Sequence, residues 1–257
     1  MHNMNSDDSI DYYIEQCSLS EEPSRKATGI LLTHLRNKYD LESYRKLAEK
    51  YLQGNYSYFE QSGHDYKFLN LPYWIHDKTI IFLNSNISQE KPQNILDIGS
   101  GPGHFLIVAQ LLGHNVHGLD IPHDLYDDLF NFFNLPKTLH SIEAFKPLPD
   151  FDRKFDFVSS HYANFNSNSF IGDDDIRGQV AWDEAAWIYF LTDLKQNILS
   201  KDGIIEFMLN PLENARKGLI GSDGSLLDFF AQRGATIKSK QHRIIRINNI
   251  NEFNLSP

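Results

Sequence analysis

The sequence predicts an α/β protein in which a mostly parallel sheet carries helices on both faces, with a helical segment added at the N-terminus. Three stretches carry that prediction. The apolar run Ile95-Leu96-Asp97-Ile98 enters Gly99-Ser100-Gly101-Pro102-Gly103, a turn with glycine at alternate positions, which bends the backbone sharply and keeps side chains off it. Asn115-Val116-His117-Gly118-Leu119-Asp120 reads as the next strand and ends in a carboxylate 23 residues after Asp97, so strand, turn, helix, strand and acid form one unit. Phe155-Asp156-Phe157-Val158-Ser159-Ser160 is an apolar run entered from a turn, as a strand buried in a parallel sheet is.

In chain order, residues 1–26 mix Asn, Ser, Asp and Glu with few large apolar groups. That composition cannot offset the entropy of ordering, and a mobile tail is expected. From 27 to 52, Leu31 and Leu35, then Leu41, Tyr44, Leu47, Ala48 and Tyr51, recur at helical spacing. They predict two short helices, the second capped by Asp40. Residues 56–74 concentrate aromatics, and a periodic segment at 75–83 leads to the first strand. Residues 27–90 are therefore read as a helical cap that contributes to a substrate pocket. Aromatic stripes serve core packing or ligand contact; for the second role the candidates are Tyr66, Phe68, Tyr73 and Trp74.

Beyond Asp120, residues 125–133 read as a helix and 138–142 as a third strand. The run at 155–160 is the fourth. The clearest helix spans 182–199, where Trp187, Phe190, Leu191, Leu194 and Ile198 form one face and Asp183 and Glu184 suit the positive end of the helix dipole. Lys201-Asp202-Gly203 reads as a turn into a fifth strand at 204–209. A short amphipathic helix at 226–232 is stopped by Gly234, and residues 235–240 and 243–248 pair as a terminal antiparallel hairpin.

Composition narrows the function. A chain of 257 residues with 41% apolar content buries one substantial core and implies one active site. The net charge of −10, without a run of Lys and Arg interleaved with aromatics, argues against nucleic acid as a partner. Cys17 is the single cysteine, which excludes an internal disulfide and any cysteine-based metal cluster. The lack of an 18-residue apolar run and the polar, acidic first 25 residues argue against a membrane and predict a cytoplasmic protein; a monomer or homodimer is expected.

The turn itself discriminates between ligands. A dinucleotide fingerprint reads G-x-G-x-x-G, whereas this chain reads D-x-G-x-G-x-G with His104 and Phe105 after it, so a nicotinamide dehydrogenase is the third-ranked reading. Segment 97–103 and the acid Asp120 resemble the first motif and the second-strand acid of the class I S-adenosylmethionine-dependent methyltransferases. The resemblance covers roughly residues 95–248. It implies a Rossmann-like seven-stranded sheet and a methyltransferase domain at 91–257 that binds S-adenosylmethionine and releases S-adenosylhomocysteine. It also implies cofactor contacts from Asp97, Gly99, Ser100, Gly101, Gly103, Asp120 and Ile121. Glu143-Ala144-Phe145-Lys146-Pro147-Leu148-Pro149 is similar to the family's acid-Ala-x-x-Leu-Pro segment, with one extra residue and Glu in place of Asp. Glu143 and Ala144 are thereby implied at the adenine, with a solvated loop carboxylate as the other reading of Glu143.

The fourth strand ends in His161, Tyr162 and Asn164, where ligands meet the carboxyl ends of parallel strands. Methyl transfer needs the acceptor, methyl and sulfur aligned in line and water excluded. A base is needed only for a poorly acidic acceptor such as a sugar hydroxyl. His161 is the candidate base, with a loop-bonding histidine as its other reading. Tyr162, Asn164, Asn210 and Glu184 are candidate substrate contacts. Ser160-His161-Tyr162-Ala163 does not match the base-amino subset of the family, and no acid occurs from 157 to 171, so no metal is expected. The arrangement after the fourth and fifth strands looks like small methyltransferases of bacterial surface-polysaccharide pathways. That implies O-methylation of a sugar, nucleotide-linked or phosphate-containing precursor. The alternatives are O- or N-methylation of another small metabolite, or a non-catalytic S-adenosylmethionine-binding regulatory subunit.

Overall fold

A computed structural model describes residues 10–52, 65–88, 90–166, 180–210, 218–219 and 224–256. Its centre is a seven-stranded sheet: β1 (Asn94–Ile98), β2 (Asn115–Asp120), β3 (Lys137–Leu139), β4 (Phe155–His161), β5 (Leu199–Met208), β6 (Thr236–Ser239) and β7 (Ile244–Ile247). The strand order is β3-β2-β1-β4-β5-β7-β6. β1 pairs parallel with β4 and β4 with β5, while β7 lies antiparallel between β5 and β6. The order reverses direction between β1 and β4, the topological switch point whose carboxyl side takes ligands in open α/β sheets. Eight α-helices accompany the sheet among the described residues: α1 (Ile10–Leu19), α2 (Pro23–Lys38), α3 (Leu41–Leu52), α4 (Leu71–Asn84), α5 (His104–Leu111), α6 (Asp124–Phe132), α7 (Glu184–Asp193) and α8 (Ser225–Gln232). The predicted Rossmann-like α/β architecture is the one observed.

The chain divides into two compact units. One comprises Met1–Pro92, Gly101–Val116 and Pro122–Lys137; the other comprises Gln93–Ser100, His117–Ile121 and Thr138–Pro257. In the first, α1 packs on α2, α2 on α4 and α4 on α5, burying Leu31, Leu32, Leu35, Ile75, Phe82 and Phe105. Here composition misled: α1 lies within the segment expected to be a mobile tail. A Cβ built on Gly29 would lie 2.8 Å from the Cβ of Cys17, so the glycine lets α1 press against α2, and Cys17 is 4% exposed. The two helices expected over 27–52 are α2 and α3.

In the second unit, Trp182, Trp187, Phe190, Phe207 and Phe230 pack with Leu96, Val158 and Ile205. Burying aromatic side chains of this size dominates a core's energetics. Asp183 caps α7 by accepting from Ala186 N at 2.9 Å. The predicted long helix is shorter than its apolar period suggests, because α7 ends at Asp193 and a π-helical turn, Leu194–Ile198, runs directly into β5. The expected turn at Lys201-Asp202-Gly203 lies inside β5 instead. Its glycine answers a close approach, since a Cβ there would sit 3.0 Å from Phe155 O. β3 stops at Leu139, short of the expected end at 142.

Candidate active site

The glycine turn follows β1, and all three of its glycines have positive φ: +67° at Gly99, +52° at Gly101 and +78° at Gly103. The three differ in what surrounds them. A Cβ on Gly99 would lie 2.6 Å from Ala163 Cβ, and one on Gly103 would lie 2.8 Å from Phe130 Cε2, whereas one on Gly101 meets no heavy atom of the described residues within 4 Å. Gly99 and Gly103 are thus glycines of packing, and Gly101 opens onto free space that a ligand could occupy. Gly99 N donates to Leu119 O at 2.8 Å, which ties the turn to the end of β2.

At that end, Asp120 accepts from Ile121 N at 2.8 Å, and the Ile121 side chain is 39% exposed. A carboxylate beside an exposed apolar side chain matches a nucleoside, which offers ribose hydroxyls to the first and a base face to the second. Glu143 and Ala144 are half-buried; Glu143 forms an ion pair with Lys146 at 2.6 Å. Ser100 is 8% exposed.

Asp97 is 2% exposed. Its Oδ1 accepts from Ser159 Oγ at 2.7 Å and lies 3.7 Å from His161 Nδ1. Beyond His161, Tyr162 adopts φ +65°, unusual for a bulky residue. The conformation is held from both sides: Tyr162 N donates to Met208 O at 2.7 Å and Tyr162 O accepts from Asn210 Nδ2. Asn210 Nδ2 also lies 3.3 Å from Asn164 Oδ1. The result presents the Tyr162 ring to solvent, 48% exposed. Asn210 and Ala163 also line a small open pocket with Phe165, Trp187, Leu209 and Leu226. Glu184 sits apart from this group, in an ion pair with Arg233 at 2.9 Å.

The aromatic candidates belong to the first unit. Phe68 and Trp74 have ring centroids 5.0 Å apart, Tyr73 meets Trp74 edge-on at 5.2 Å, and Trp74 stacks on His104 at 5.8 Å. Trp74 Nε1 donates to Lys67 O at 2.8 Å. Tyr73 is the exposed member, at 46%. The Tyr66 side chain lies outside the described residues, as do Tyr56, Tyr58 and Phe59. His104, directly after the glycine turn, reads from the sequence as a lone structural histidine rather than a ligand contact. Burial and the neighbouring Lys78 charge push its pKa down to about 3, so it is a neutral packing group at physiological pH.

No family model matches the chain, and no curated protein matches it in sequence. Among solved structures it is similar to a ribosomal protein L11 methylase from Lactobacillus delbrueckii subsp. bulgaricus, with 19% identity over 66% of this chain and 76% of that one, at a TM-score of 0.40. It is also similar to a SAM-dependent methyltransferase from Aquifex aeolicus, with 13% identity over 66% of this chain and 87% of that one, at a TM-score of 0.41. A third is an amino pentose methyltransferase from Micromonospora echinaspora with SAM bound, with 15% identity over 53% of this chain and 51% of that one, at a TM-score of 0.36. This chain therefore spans about half the length of the third. What the chain does is read from its own residues.

Proposed function

We propose that the chain is an S-adenosylmethionine-dependent methyltransferase acting on a small-molecule acceptor, with a hydroxyl of a sugar, nucleotide-linked or phosphate-containing precursor as the acceptor class. One observation carries the reading: the turn from Asp97 to Gly103 leaves the space at Gly101 open and is followed at the end of β2 by Asp120. When bound, S-adenosylmethionine supplies a methyl group on a sulfonium leaving group, so no covalent enzyme intermediate is required.

The chain's own residues then bind, orient and move a proton. Gly99, Ser100, Gly101 and Gly103 admit the ligand against the main chain, and the Asp120 carboxylate accepts hydrogen bonds from ribose hydroxyls. Ile121 and Ala144 offer apolar contact to the base, with Glu143 at the amino edge. His161 takes the acceptor hydroxyl's proton at a ring nitrogen, as a histidine base would. Tyr162, Asn164 and Asn210 orient the acceptor from the ends of β4 and β5. Among the described residues no helix is long and apolar enough to cross a membrane.

Calorimetric titration with S-adenosylmethionine and S-adenosylhomocysteine, with NADH as control, tests the reading. Micromolar binding of the first two and none of the third supports it, and transfer of labelled methyl to a panel of nucleotide sugars then identifies the acceptor. Binding of NADH alone overturns it. Cofactor binding without transfer to any acceptor points to a regulatory subunit.

A further inference from the structure

The terminal hairpin concentrates positive charge in an acidic chain. Residues 235–248 carry Lys238, Lys240, Arg243 and Arg246 and no Asp or Glu, although the chain as a whole has a net charge of −10. Lys238 and Arg246 are held by a single carboxylate, that of Glu206, at 3.1 and 3.0 Å. Lys240 and Arg243, in the turn between β6 and β7, are in no ion pair among the described residues. Lys240, Gln241 and His242 are exposed and Arg243 is half-buried. Strand register puts this turn on the ligand side of the sheet. His161, at the end of β4, is in register with Met208 at the end of β5, and Met208 with Ile244 at the start of β7. Tyr162 N donates to Met208 O at 2.7 Å, and Leu209 N donates to Arg243 O at 3.3 Å. Arg243 therefore lies two strands across from Tyr162, about 10 Å away at the usual strand spacing.

We propose that the turn at 240–243 binds a phosphoryl group of the methyl acceptor, through Lys240 and Arg243. This rests on the reading of the chain as a methyltransferase whose acceptor hydroxyl lies at the end of β4, and it narrows the acceptor to a phosphate-bearing molecule. The separation between Tyr162 and Arg243 suits a sugar ring that offers a hydroxyl at one end and carries a phosphate at the other. The Arg243 guanidinium presents a planar fork of donors that matches phosphate oxygens, and Lys240 adds a mobile point charge. Tyr162, Asn164 and Asn210, the other candidate acceptor contacts at these strand ends, carry no charge, so the turn supplies what a phosphate needs and they do not. The turn is also built rather than loose. His242 N donates to Ser239 Oγ at 3.1 Å and Arg243 N to Lys240 O at 3.3 Å. Arg243 has φ +48°, a left-handed conformation that glycine takes freely and arginine takes under strain. The backbone gains nothing from an arginine there, whereas a bound anion does.

Nuclear magnetic resonance of amide-labelled protein, titrated with inorganic pyrophosphate and separately with inorganic phosphate, tests this. At least one of the two is expected to shift the amide signals of residues 240–243 with a millimolar or tighter Kd that weakens as sodium chloride is added. Tighter binding of pyrophosphate supports a diphosphate-linked acceptor, and tighter binding of phosphate supports a phosphomonoester. In Lys240→Gln/Arg243→Gln the Kd is expected to rise at least about tenfold, because charge-assisted hydrogen bonds to the anion are lost. Lys201→Gln, which removes an exposed charge near the start of β5, should leave it unchanged. No shift at 240–243 with either anion, or an unchanged Kd in the double variant, overturns the proposal. If the double variant fails to fold, Lys240→Gln, which alters only an exposed side chain, decides: a rise of at least about threefold supports the proposal and an unchanged Kd overturns it. Calorimetry of the wild type with S-adenosylhomocysteine keeps the two claims apart. Absent binding there overturns the proposed function, whereas intact binding without an anion site at 240–243 overturns the phosphate assignment alone.

Discussion

Replacing each glycine of the turn in turn separates packing from ligand space. At Gly101, φ is +52° and an added Cβ meets nothing within 4 Å among the described residues, so Gly101→Ala costs about the left-handed backbone penalty of 1–2 kcal/mol. For a chain of this size that lowers Tm by about 2–8 °C. Gly99→Ala and Gly103→Ala carry the same backbone penalty and add an overlap, 2.6 Å to Ala163 Cβ in one case and 2.8 Å to Phe130 Cε2 in the other. Overpacking adds about 1–3 kcal/mol, for a total of about 2–5 kcal/mol. Ligand affinity should rank differently. The Gly101→Ala methyl fills the cradle where the cofactor's atoms are proposed to lie, and S-adenosylhomocysteine affinity should fall at least about tenfold, near 1.4 kcal/mol, in a protein that is still folded. Thermal unfolding and calorimetric titration of the three variants read both quantities. Unchanged affinity in Gly101→Ala would place the ligand elsewhere. Equal stability losses in all three would refute the packing distinction.

Other perturbations follow from the same geometry. Asp120→Ala should weaken S-adenosylhomocysteine binding by about 1–3 kcal/mol through lost ribose hydrogen bonds, and an unchanged isotherm would remove Asp120 from the ribose. His161→Gln should cut turnover while leaving cofactor affinity intact; equal turnover would end its role as base. Glu206→Gln removes the buried carboxylate charge that Arg246 Nη1 and Lys238 Nζ face and should cost about 3–5 kcal/mol in urea unfolding, whereas a loss under about 1 kcal/mol would mean that the pair is solvated. His104 titrates near 6.5 when unfolded and near 3 when folded, so the unfolded chain binds more protons below 6.5. Stability should be complete above about pH 6.5 and decline as pH falls toward 3, by up to about 1.4 kcal/mol per pH unit from this group. His104→Leu should flatten the fall in Tm between pH 6.5 and 4, and an identical curve would show that the ring is hydrated.

The parts of the fold that were legible are those whose cause is local. The D-x-G-x-G-x-G turn is visible because only glycine takes three positive φ values in so short a run at no steric cost. The buried strand at Phe155–His161 is visible because a strand covered on both faces is continuously apolar. The misreadings have non-local causes. Lys201-Asp202-Gly203 has turn composition, but Gly203 serves the approach to Phe155 O. Residues 10–19 belong to a stretch that looks too polar to order, but Gly29 offers Cys17 a place to pack. Glu184 reads as a first-turn acid and a candidate substrate contact, and its ion pair with Arg233, 49 residues on, is not visible in the local sequence.

The sequence by itself determined the Rossmann-like class, the glycine turn, the acid at Asp120 and the group of polar side chains after the fourth strand, because backbone permissiveness and hydrophobic period are properties of neighbours in the chain. Only the tertiary structure decided that Gly101 is the open position of the three and that Tyr162 is held in a left-handed turn by Asn210. It also decided that Asp97 faces Ser159 and His161. The last two depend on strand register, which brings together residues some 50 to 60 positions apart, and register is set by how whole strands bury their faces rather than by any short stretch of residues.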